Sequence, residues 1–352
     1  MSANAELHQQ VAGLLRRVGK EGEFRLLPLS GGANNRVHLV RVNGWRAVVK
    51  SYFQDPGDPR DRLGTEYRFL SFAWEQGLRC LPRPLAQDRQ SGLALYQFRP
   101  GRRLSPGQIR AAHLEQVLRF ILELNRHRRQ PEARALPPAS EACFSLEDHL
   151  GCLARRLEGL RGSLGDSEVD RAAARFLEKR LAPAWRRVEE RVRREAQHLE
   201  LDPARPLPRP RRCLSPSDFG FHNILAHPRQ GLSFLDFEYA GWDDPVKMVC
   251  DLFAAPAAPA PVKHFPDFAR RALAGLEQPR PRLELAGLLL PLHRLKWVCI
   301  IMNAFTRVSL SRRAFAGRAQ DREKIKRRHL ERACRALAGL PGLESVSCHG
   351  LH

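Results

Sequence analysis

The densest group of residues able to do chemistry lies between Asp218 and Asp236. Asn223 follows Asp218 by five positions, and Asp236 follows it by eighteen, at the end of an apolar stretch. Each of these residues alone is typical of a turn or a helix cap. Together they have the spacing of a phosphoryl-transfer site, which needs hard oxygen ligands for Mg²⁺ and a separate carboxylate for the attacking hydroxyl. The pattern predicts Asp218 as the base or orienting group, and Asn223 and Asp236 as metal ligands.

A lysine and a glutamate in the first hundred residues form a second candidate pair. Lys50 ends an apolar strand pattern, in the position where kinases carry a lysine that contacts ATP phosphates. Glu66 lies on or beside the apolar stripe of a predicted helix, between Leu63 and Leu70. Because a buried carboxylate without a cationic partner is costly, we expect Glu66 to pair with Lys50 and the pair to position ATP.

A glycine-containing turn is a weaker candidate for contact with the phosphates. Ser30, Gly31 and Gly32 lie between two predicted strands, so their backbone amides are expected to cover the phosphates of ATP. An ordinary hairpin turn without a role in binding explains the two glycines equally well. The sequence contains no Walker A pattern, which argues against a P-loop enzyme.

The elements that must position these residues change in character near residue 100. Strand patterns and one helical pattern precede it, over 24–29, 37–42, 45–53, 60–76 and 93–98. After the break at Arg99-Pro100-Gly101, helical patterns cover 106–126, 146–162, 167–198 and the chain from Asp244 onward, with a loop over 213–225 and a strand over 232–237. We therefore expect an α+β protein: an antiparallel-sheet lobe at 1–100 that binds ATP, and a larger helical lobe at 101–352 that carries the catalytic loop and the substrate site.

This combination resembles the aminoglycoside phosphotransferase and choline kinase superfamily. Its members have a loop Asp, an Asn five positions later and an Asp-aromatic pair on the next strand, as at Asp218, Asn223 and Asp236. The run Asp236–Gly241 is especially similar to choline and ethanolamine kinases. The resemblance implies a bilobal protein-kinase-like fold, ATP and Mg²⁺ as cofactors, and a small hydroxyl-bearing acceptor. By position, it also implies that Gln97 lies at the hinge that binds adenine.

Two positions depart from that superfamily's pattern. Pro216 stands two residues before Asp218, where these families usually carry a histidine that supports the loop. Asp244 and Asp251 are wider apart than the familiar spacing, which leaves the supporting role of Asp251 open. We expect activity to survive the replacement of the histidine by Pro216, while the acceptor group stays unassigned.

Several residues are candidates for the acceptor site, and the sequence allows more than one role for each of them. Glu238, Asp243 and Asp244 are expected either to meet a cationic acceptor or to cap the following helix. Three aromatic residues are favoured as core residues over pocket walls: Trp242, Trp297 and Phe305. The net charge of +21 fits a polycationic antibiotic poorly and a sugar, an amino alcohol or a phosphorylated metabolite better.

The strong positive charge does not by itself indicate a nucleic-acid partner. Only 8 of the 59 basic residues are lysine, and the arginines are scattered along a chain with 7% aromatic residues. A dedicated nucleic-acid surface more often shows a basic stripe with interleaved aromatic residues. We therefore expect a small-molecule partner, and the sequence predicts no oligomeric state.

The cysteines and the distribution of apolar residues predict where in the cell the protein is found. The eight cysteines form no C-x-x-C pair and are expected to be reduced thiols. The polar N-terminus lacks the apolar run of a signal peptide. The apolar stretch 285–305 contains His293, Arg294 and Lys296, which favours a buried core helix over a membrane span. We expect a cytoplasmic protein without a membrane partner.

Two other functions stay open beside a small-molecule kinase. A protein kinase is possible, although the Asp236–Glu238 run and the helical C-terminal half favour the small-molecule branch. A weak pseudokinase or a nucleic-acid-associated scaffold is the non-enzyme alternative. This alternative is disfavoured because every predicted site residue of a kinase is present, namely Lys50, Glu66, Asp218, Asn223 and Asp236. Pro216, in place of the usual histidine, is the one feature that favours it.

Overall fold

The N-terminal part of the chain is built around an antiparallel sheet. The computed structural model describes residues 3–29, 35–54, 58, 60–306, 309, 315 and 321–340. Strands β1 to β5 run over Phe24–Pro28, Arg36–Val42, Trp45–Ser51, Pro84–Asp88 and Leu93–Gln97. They form a five-stranded sheet in the order β1-β2-β3-β5-β4, with every neighbouring pair antiparallel. The strand patterns predicted for this region are therefore confirmed, and β4 is an additional edge strand.

The two faces of this sheet are covered by different helices. Helix α1 (Ala3–Arg17), which the sequence patterns did not predict, buries Val11 and Leu14 in one cluster with Val40 and Val49. Alternate residues of β3 point to the other face, where helix α2 (Arg62–Glu75) packs. The side chain of Asp61 caps α2 by accepting a hydrogen bond from the Gly64 amide at 2.8 Å. The period of two along β3 thus directs Lys50 toward α2.

Helices dominate the remainder of the described chain. Helices α3 to α11 run over Ala111–Arg126, Pro131–Arg134, Leu146–Arg161, Glu168–Phe176, Ala182–His198, Pro245–Ala254, Phe265–Gly275, Arg280–Ile301 and Arg322–Ala338. A π-helical turn over Leu177–Leu181 joins α6 to α7. Along α11, Ile325 and Leu337 are buried, whereas Cys334 is exposed.

Four short strands lie between α7 and α8, and a fifth precedes α3. Strands β6 to β10 run over Arg102–Arg103, Cys213–Ser215, Ile224–His227, Gly231–Phe234 and Gly241–Asp243. β7 pairs with β10, and β6, β8 and β9 form a three-stranded sheet. The predicted loop at 213–225 therefore begins in a strand. A Cβ atom at Gly241 would collide with the backbone of residues 137–139, so this close approach requires glycine.

Helix α10 is the central helix of the C-terminal part. The segment Arg280–Phe305 is the one described helix long and apolar enough to cross a membrane, and 83% of its apolar window is buried inside the protein. Its Lys296 Nζ lies 2.6 Å from Asp251 Oδ1 on α8. These contacts agree with the predicted core helix.

Candidate active site

Lys50 lies at the centre of a group of three carboxylates. Its Nζ is 2.6 Å from Glu66 Oε2, 2.6 Å from Asp236 Oδ1 and 3.4 Å from Glu238 Oε2. Burial lowers the pKa of Lys50, but the three negative charges outweigh burial, so its pKa is raised well above the usual value. The lysine is therefore a permanent cation that joins the sheet, helix α2 and the segment after β9.

Glu66 is fixed by three donors from different parts of the chain. Besides Lys50, it accepts hydrogen bonds from the Tyr52 hydroxyl at 2.6 Å and from the Phe237 amide at 3.2 Å. Burial first, and then the charge of Glu66, raise the pKa of Tyr52 well above its ordinary value, so this hydroxyl stays a donor. Tyr96 completes the chain with an oxygen–oxygen distance of 2.7 Å to Tyr52. Glu66 thus has few alternative positions.

The carboxylates around Lys50 have a chemistry suited to a divalent cation. One oxygen each of Glu66, Asp236 and Glu238 lies within 4.8 Å of the others. Carboxylate oxygens are the ligands that Mg²⁺ prefers in proteins. Asp236 is the most accessible, with 37% of its side chain exposed, and its φ of +67° is in the left-handed region. Glu238 also accepts a hydrogen bond from the Asn35 side chain, and the residue that caps α8 is Asp244.

The segment from Asp218 to Asn223 folds back on itself. Asn223 Nδ2 donates to the Asp218 carbonyl at 3.0 Å and to Asp218 Oδ2 at 3.3 Å, so its amide oxygen is the atom left for a cation. The Leu235 amide donates to the Asn223 carbonyl at 2.9 Å, which places the loop beside the residue preceding Asp236. The predicted catalytic and metal-binding residues of the loop region therefore lie together.

His222 is the histidine that contacts Asp218. Its Nε2 is 3.1 Å from Asp218 Oδ1, and its ring packs edge-on against Trp297 with centroids 5.6 Å apart. Burial lowers the pKa of His222, but the hydrogen bond and charge of Asp218 outweigh burial and raise it above its usual value. His222 stands four positions after Asp218, whereas Pro216 occupies the position where the resembling families carry their histidine.

Strand β7, which leads into the loop, is held by a buried asparagine of α3. Asn125 Nδ2 donates to the Leu214 carbonyl at 3.0 Å, and the Leu214 amide donates to Asn125 Oδ1 at 2.8 Å. Both residues are fully buried. The side chain of Asn125 replaces a strand neighbour for Leu214 and fixes the entry to the loop.

The acidic residues after β9 take up structural roles inside the protein. Asp244 caps α8 by accepting from the Val246 amide at 2.7 Å, as one of the two expectations held. Asp243 Oδ2 lies 2.8 Å from Lys247 Nζ, and Asp251 Oδ2 lies at the same distance from that atom. Asp243, Asp244 and Asp251 are all buried. They therefore stabilise the core of the C-terminal part and do not face a cleft.

The residues predicted to contact the nucleotide from the N-terminal part, and the candidate aromatic residues, have separate outcomes. Ser30, Gly31 and Gly32 lie outside the described residues. Gln97 ends β5, and its backbone amide donates to the Arg83 carbonyl at 2.8 Å. Its side-chain Oε1 is buried without a hydrogen-bond partner in the described chain. Of the aromatic residues, Phe305 is buried in the core, as favoured, Trp242 is buried but also lines a pocket, and Trp297 is half-buried.

Several residues of the site were missed at the sequence level. Tyr52 lies two positions from Lys50, so the period of the strand places both on one face and supplies a signal for it. His222 lies inside the loop motif, although nothing in the spacing marks it as a partner of Asp218. Asn125 and Asn35 carry no local signal, because they act on residues 89 and 203 positions away.

The comparison with solved structures shows the fold. A choline kinase from Streptococcus pneumoniae superposes with a TM-score of 0.59 at 12% identity, covering 95% of this chain and 99% of that chain. A choline/ethanolamine kinase family protein from Mesorhizobium loti gives a TM-score of 0.54 at 17% identity, covering 97% and 96%. A spectinomycin phosphotransferase solved with ADP and spectinomycin gives 0.58 at 11%, covering 93% and 98%. The predicted bilobal, α+β protein-kinase-like fold is confirmed.

Family membership comes from a family model. No curated protein sequence matches the chain. The model of the phosphotransferase enzyme family, APH, matches residues 25–286, which is more than half of the chain. The predicted resemblance is confirmed, and this chain belongs to the phosphotransferase enzyme family.

Proposed function

We propose that this protein is an ATP-dependent kinase that moves the γ-phosphate of Mg-ATP to a hydroxyl group of a small metabolite. The observation that carries the proposal is the position of Lys50 Nζ, 2.6 Å from both Glu66 and Asp236. A lysine held in this way joins a nucleotide-binding sheet to a metal-binding carboxylate, which is the arrangement that phosphoryl transfer needs. We also propose residues 1–100 as the ATP-binding lobe and 101–352 as the lobe with the catalytic and substrate sites.

The N-terminal residues would bind and orient the nucleotide. Lys50 would contact the phosphates while Glu66 keeps its ammonium group in place. The amides of Ser30, Gly31 and Gly32 would cover the phosphates, and Gln97 would contact adenine. The unpartnered Oε1 of Gln97 supports the last role, because a buried acceptor without a partner is costly unless a ligand donates to it.

The oxygen ligands near Lys50 fit Mg²⁺. Asp236 and the amide oxygen of Asn223 would hold it, with Glu238 close enough to contribute charge. When bound, Mg²⁺ would neutralise charge on the transferring phosphate. The chain's own contribution is to keep these ligands in position through the Leu235–Asn223 backbone hydrogen bond.

Asp218 would accept the proton of the acceptor hydroxyl or orient that hydroxyl for in-line attack. Its carboxylate is held in one orientation, because Oδ1 faces His222 and Oδ2 accepts from Asn223. Closure of the two lobes would exclude water and limit hydrolysis of ATP.

The acceptor class is narrowed by where the acidic residues lie. A polycationic aminoglycoside needs several accessible carboxylates, but Asp243 and Asp244 are buried in internal contacts. We therefore propose a sugar, an amino alcohol or a phosphorylated metabolite ahead of an aminoglycoside-like acceptor. We further propose a cytoplasmic enzyme, which the seven free cysteines of the described chain support. We also propose that it has no membrane or nucleic-acid partner.

The test is release of ADP from Mg-ATP across a panel of sugars, amino alcohols, aminoglycosides and a generic protein acceptor. An acceptor-stimulated rate should fall by about a hundredfold or more in Asp218→Ala. The matched control is Asp267→Ala, which removes an exposed aspartate of α9 and should keep the rate. Absence of both stimulation and Mg-ATP binding would contradict the kinase proposal, and stimulation by the protein acceptor alone would favour a protein kinase.

A further inference from the structure

A pocket rich in arginine lies on the C-terminal part of the protein. It is lined by Arg128, Arg129, Arg134, Arg209, Pro210 and Trp242 and has a volume of about 420 Å³. We call it the arginine pocket. Its size is that of a site for a small ligand.

The arginine pocket has an excess of positive charge. Arg128 and Arg129 share one carboxylate, Glu277, at nitrogen–oxygen distances of 2.8 Å and 2.5 Å. Arg134 and Arg209 have no carboxylate partner among the residues the structure describes. Four guanidinium groups therefore stand against one carboxylate, and two of them have N–H donors that no carboxylate of the described chain accepts.

The frame of the arginine pocket is fixed by contacts within the protein. Arg128 donates to the Asn125 carbonyl at 3.0 Å, and only 10% of its side chain is exposed. Arg209 donates to the Arg134 carbonyl at 2.9 Å, and its guanidinium lies 5.5 Å from the Trp242 ring centroid. The Trp242 indole donates to the Ala133 carbonyl at 2.9 Å. Such fixed donors lose little freedom when they bind an anion.

Glu277 is held in place by the end of helix α9. Its φ of +57° is the left-handed conformation common just after a helix, and the Gln278 amide donates to the Leu273 carbonyl at 2.9 Å. The carbonyl of Glu277 accepts a hydrogen bond from Arg211, while its carboxylate holds Arg128 and Arg129. Glu277 therefore brings three arginines to one region of the protein surface.

The arginine pocket is distinct from the proposed ATP site. None of its lining residues forms a hydrogen bond or ion pair with Lys50, Asp218 or Asp236 in the described chain. The arginine pocket is nevertheless connected to the strand that leads into the Asp218 loop, because Trp242 lies on β10 opposite Leu214 on β7. Arg128 also contacts the carbonyl of Asn125, the residue that holds Leu214.

We propose that the arginine pocket binds a small anion carrying two or three linked phosphate groups. Guanidinium groups bind phosphate oxygens with paired N–H donors, and several convergent forks match several phosphates. A linked polyphosphate supplies enough negative charge for the unpaired guanidinium groups within a volume of about 420 Å³. A singly charged ligand would leave most of this charge unbalanced.

The test is calorimetric titration of the full chain with tripolyphosphate, without Mg²⁺ and at physiological ionic strength. We expect one site, weakened by about tenfold or more in Arg134→Ala/Arg209→Ala and also weakened in Arg129→Ala. These arginines are exposed, so the variants should fold, which circular dichroism checks. The matched control is Arg186→Ala/Arg187→Ala, which removes the same charge from the exposed face of α7 and should bind as the wild type does.

A second control separates the arginine pocket from the proposed ATP site. Lys50→Ala removes the cation of that site and, with its folding confirmed by circular dichroism, should leave tripolyphosphate binding unchanged. Loss of binding in Lys50→Ala but not in Arg134→Ala/Arg209→Ala would overturn the proposal, as would absence of binding or equal weakening in the α7 control. Tighter binding of a single-stranded oligonucleotide, lost in Arg134→Ala/Arg209→Ala, would also overturn it in favour of nucleic acid. None of these outcomes depends on kinase activity.

Discussion

Lys50 and Asp236 form an ion pair with an Nζ–Oδ1 distance of 2.6 Å, across 186 positions of the sequence. The pair has an uneven environment, because 10% of the lysine side chain and 37% of the aspartate side chain are exposed. Lys50 is thus shared between a buried partner, Glu66, and a partner that can exchange with a ligand. The sequence assigned one residue to phosphate and the other to metal, and the structure makes them partners of each other.

The first prediction concerns the charge that Lys50 neutralises. In Lys50→Met, three carboxylates with oxygens within 4.8 Å of one another lose their shared cation. The variant should lose about 3–5 kcal/mol of unfolding free energy, because breaking a buried ion pair leaves uncompensated charge. Mg²⁺ should raise its thermal midpoint more than that of the wild type, because the freed carboxylates bind the ion in the folded state.

The measurement is thermal unfolding with Mg²⁺ and with EDTA. Lys263→Met, a change at an exposed lysine, serves as the control and should respond to Mg²⁺ as the wild type does. Equal stabilisation of the Lys50→Met and wild-type proteins by Mg²⁺ would show that these carboxylates do not form a cation site.

The parts of the site that could be predicted are those whose signal is local. Lys50 and Glu66 were paired correctly because each lies in a periodic element whose buried face is readable from its neighbours. Helix α1 was missed because its apolar residues, such as Val11, gain meaning only from the sheet they cover. Strand β4 was missed because it begins with Pro84 and has polar residues, which an edge strand tolerates.

Other parts depend on contacts that sequence spacing does not encode. Asn125 looks like an ordinary polar residue near the end of a helix, and its role appears only when β7, 89 positions away, reaches it. The acidic residues Asp243 and Asp251 were open to a substrate role because their partner, Lys247, is recognisable as buried only in the folded protein.

The second prediction concerns Asn125. Asn125→Leu keeps the number and branching of side-chain heavy atoms but leaves the buried amide and carbonyl of Leu214 without the side chain that pairs with them, at a cost of about 2–4 kcal/mol in unfolding free energy. Urea unfolding measures this loss. Since β7 leads into the loop that carries Asp218, kcat should also fall while the KM for ATP changes little. Gln197→Leu, at an exposed position of α7, is the control, and an equally small effect of both changes would contradict the role of Asn125.

The third prediction concerns His222 and pH. Its folded-state pKa is raised above the usual 6.5, because the bond to Asp218 outweighs burial. This group therefore stabilises the folded protein fully below pH 6.5, and its contribution is lost as pH rises through the folded-state pKa. The unfolding free energy of wild type minus His222→Gln should decrease with pH across that window, with a slope of at most about 1.4 kcal/mol per pH unit.

Urea unfolding at a series of pH values measures this difference. Gln197→Ala, at an exposed position of α7 without a titrating group, should give a difference that is constant with pH. A difference for His222→Gln that grows with pH would mean that the histidine is held neutral and does not form an ion pair with Asp218.

The fourth prediction concerns Asp251, whose role the sequence left open. Its carboxylate accepts from Lys247 at 2.8 Å and from Lys296 at 2.6 Å inside the C-terminal part. Burial raises the pKa of Asp251, but the two cations outweigh burial and hold the pKa well below its usual value. Asp251→Asn should cost about 3–5 kcal/mol in unfolding free energy, because buried Lys296 loses its carboxylate partner and buried Lys247 is left with Asp243 alone.

The pH dependence of the Asp251 effect has the opposite sign to that of His222. A carboxylate with a lowered pKa stabilises the folded state above its ordinary pKa of 3.8, and this stability is lost as pH falls through the folded-state value. The difference between wild type and Asp251→Asn should therefore be largest near neutral pH and narrow in acid, as measured by urea unfolding. Asp267→Asn removes an exposed aspartate paired with Arg270 and should change stability by less than about 1 kcal/mol. If both changes cost the same, the buried lysines must find other partners and Asp251 is not the residue that holds α8 to α10.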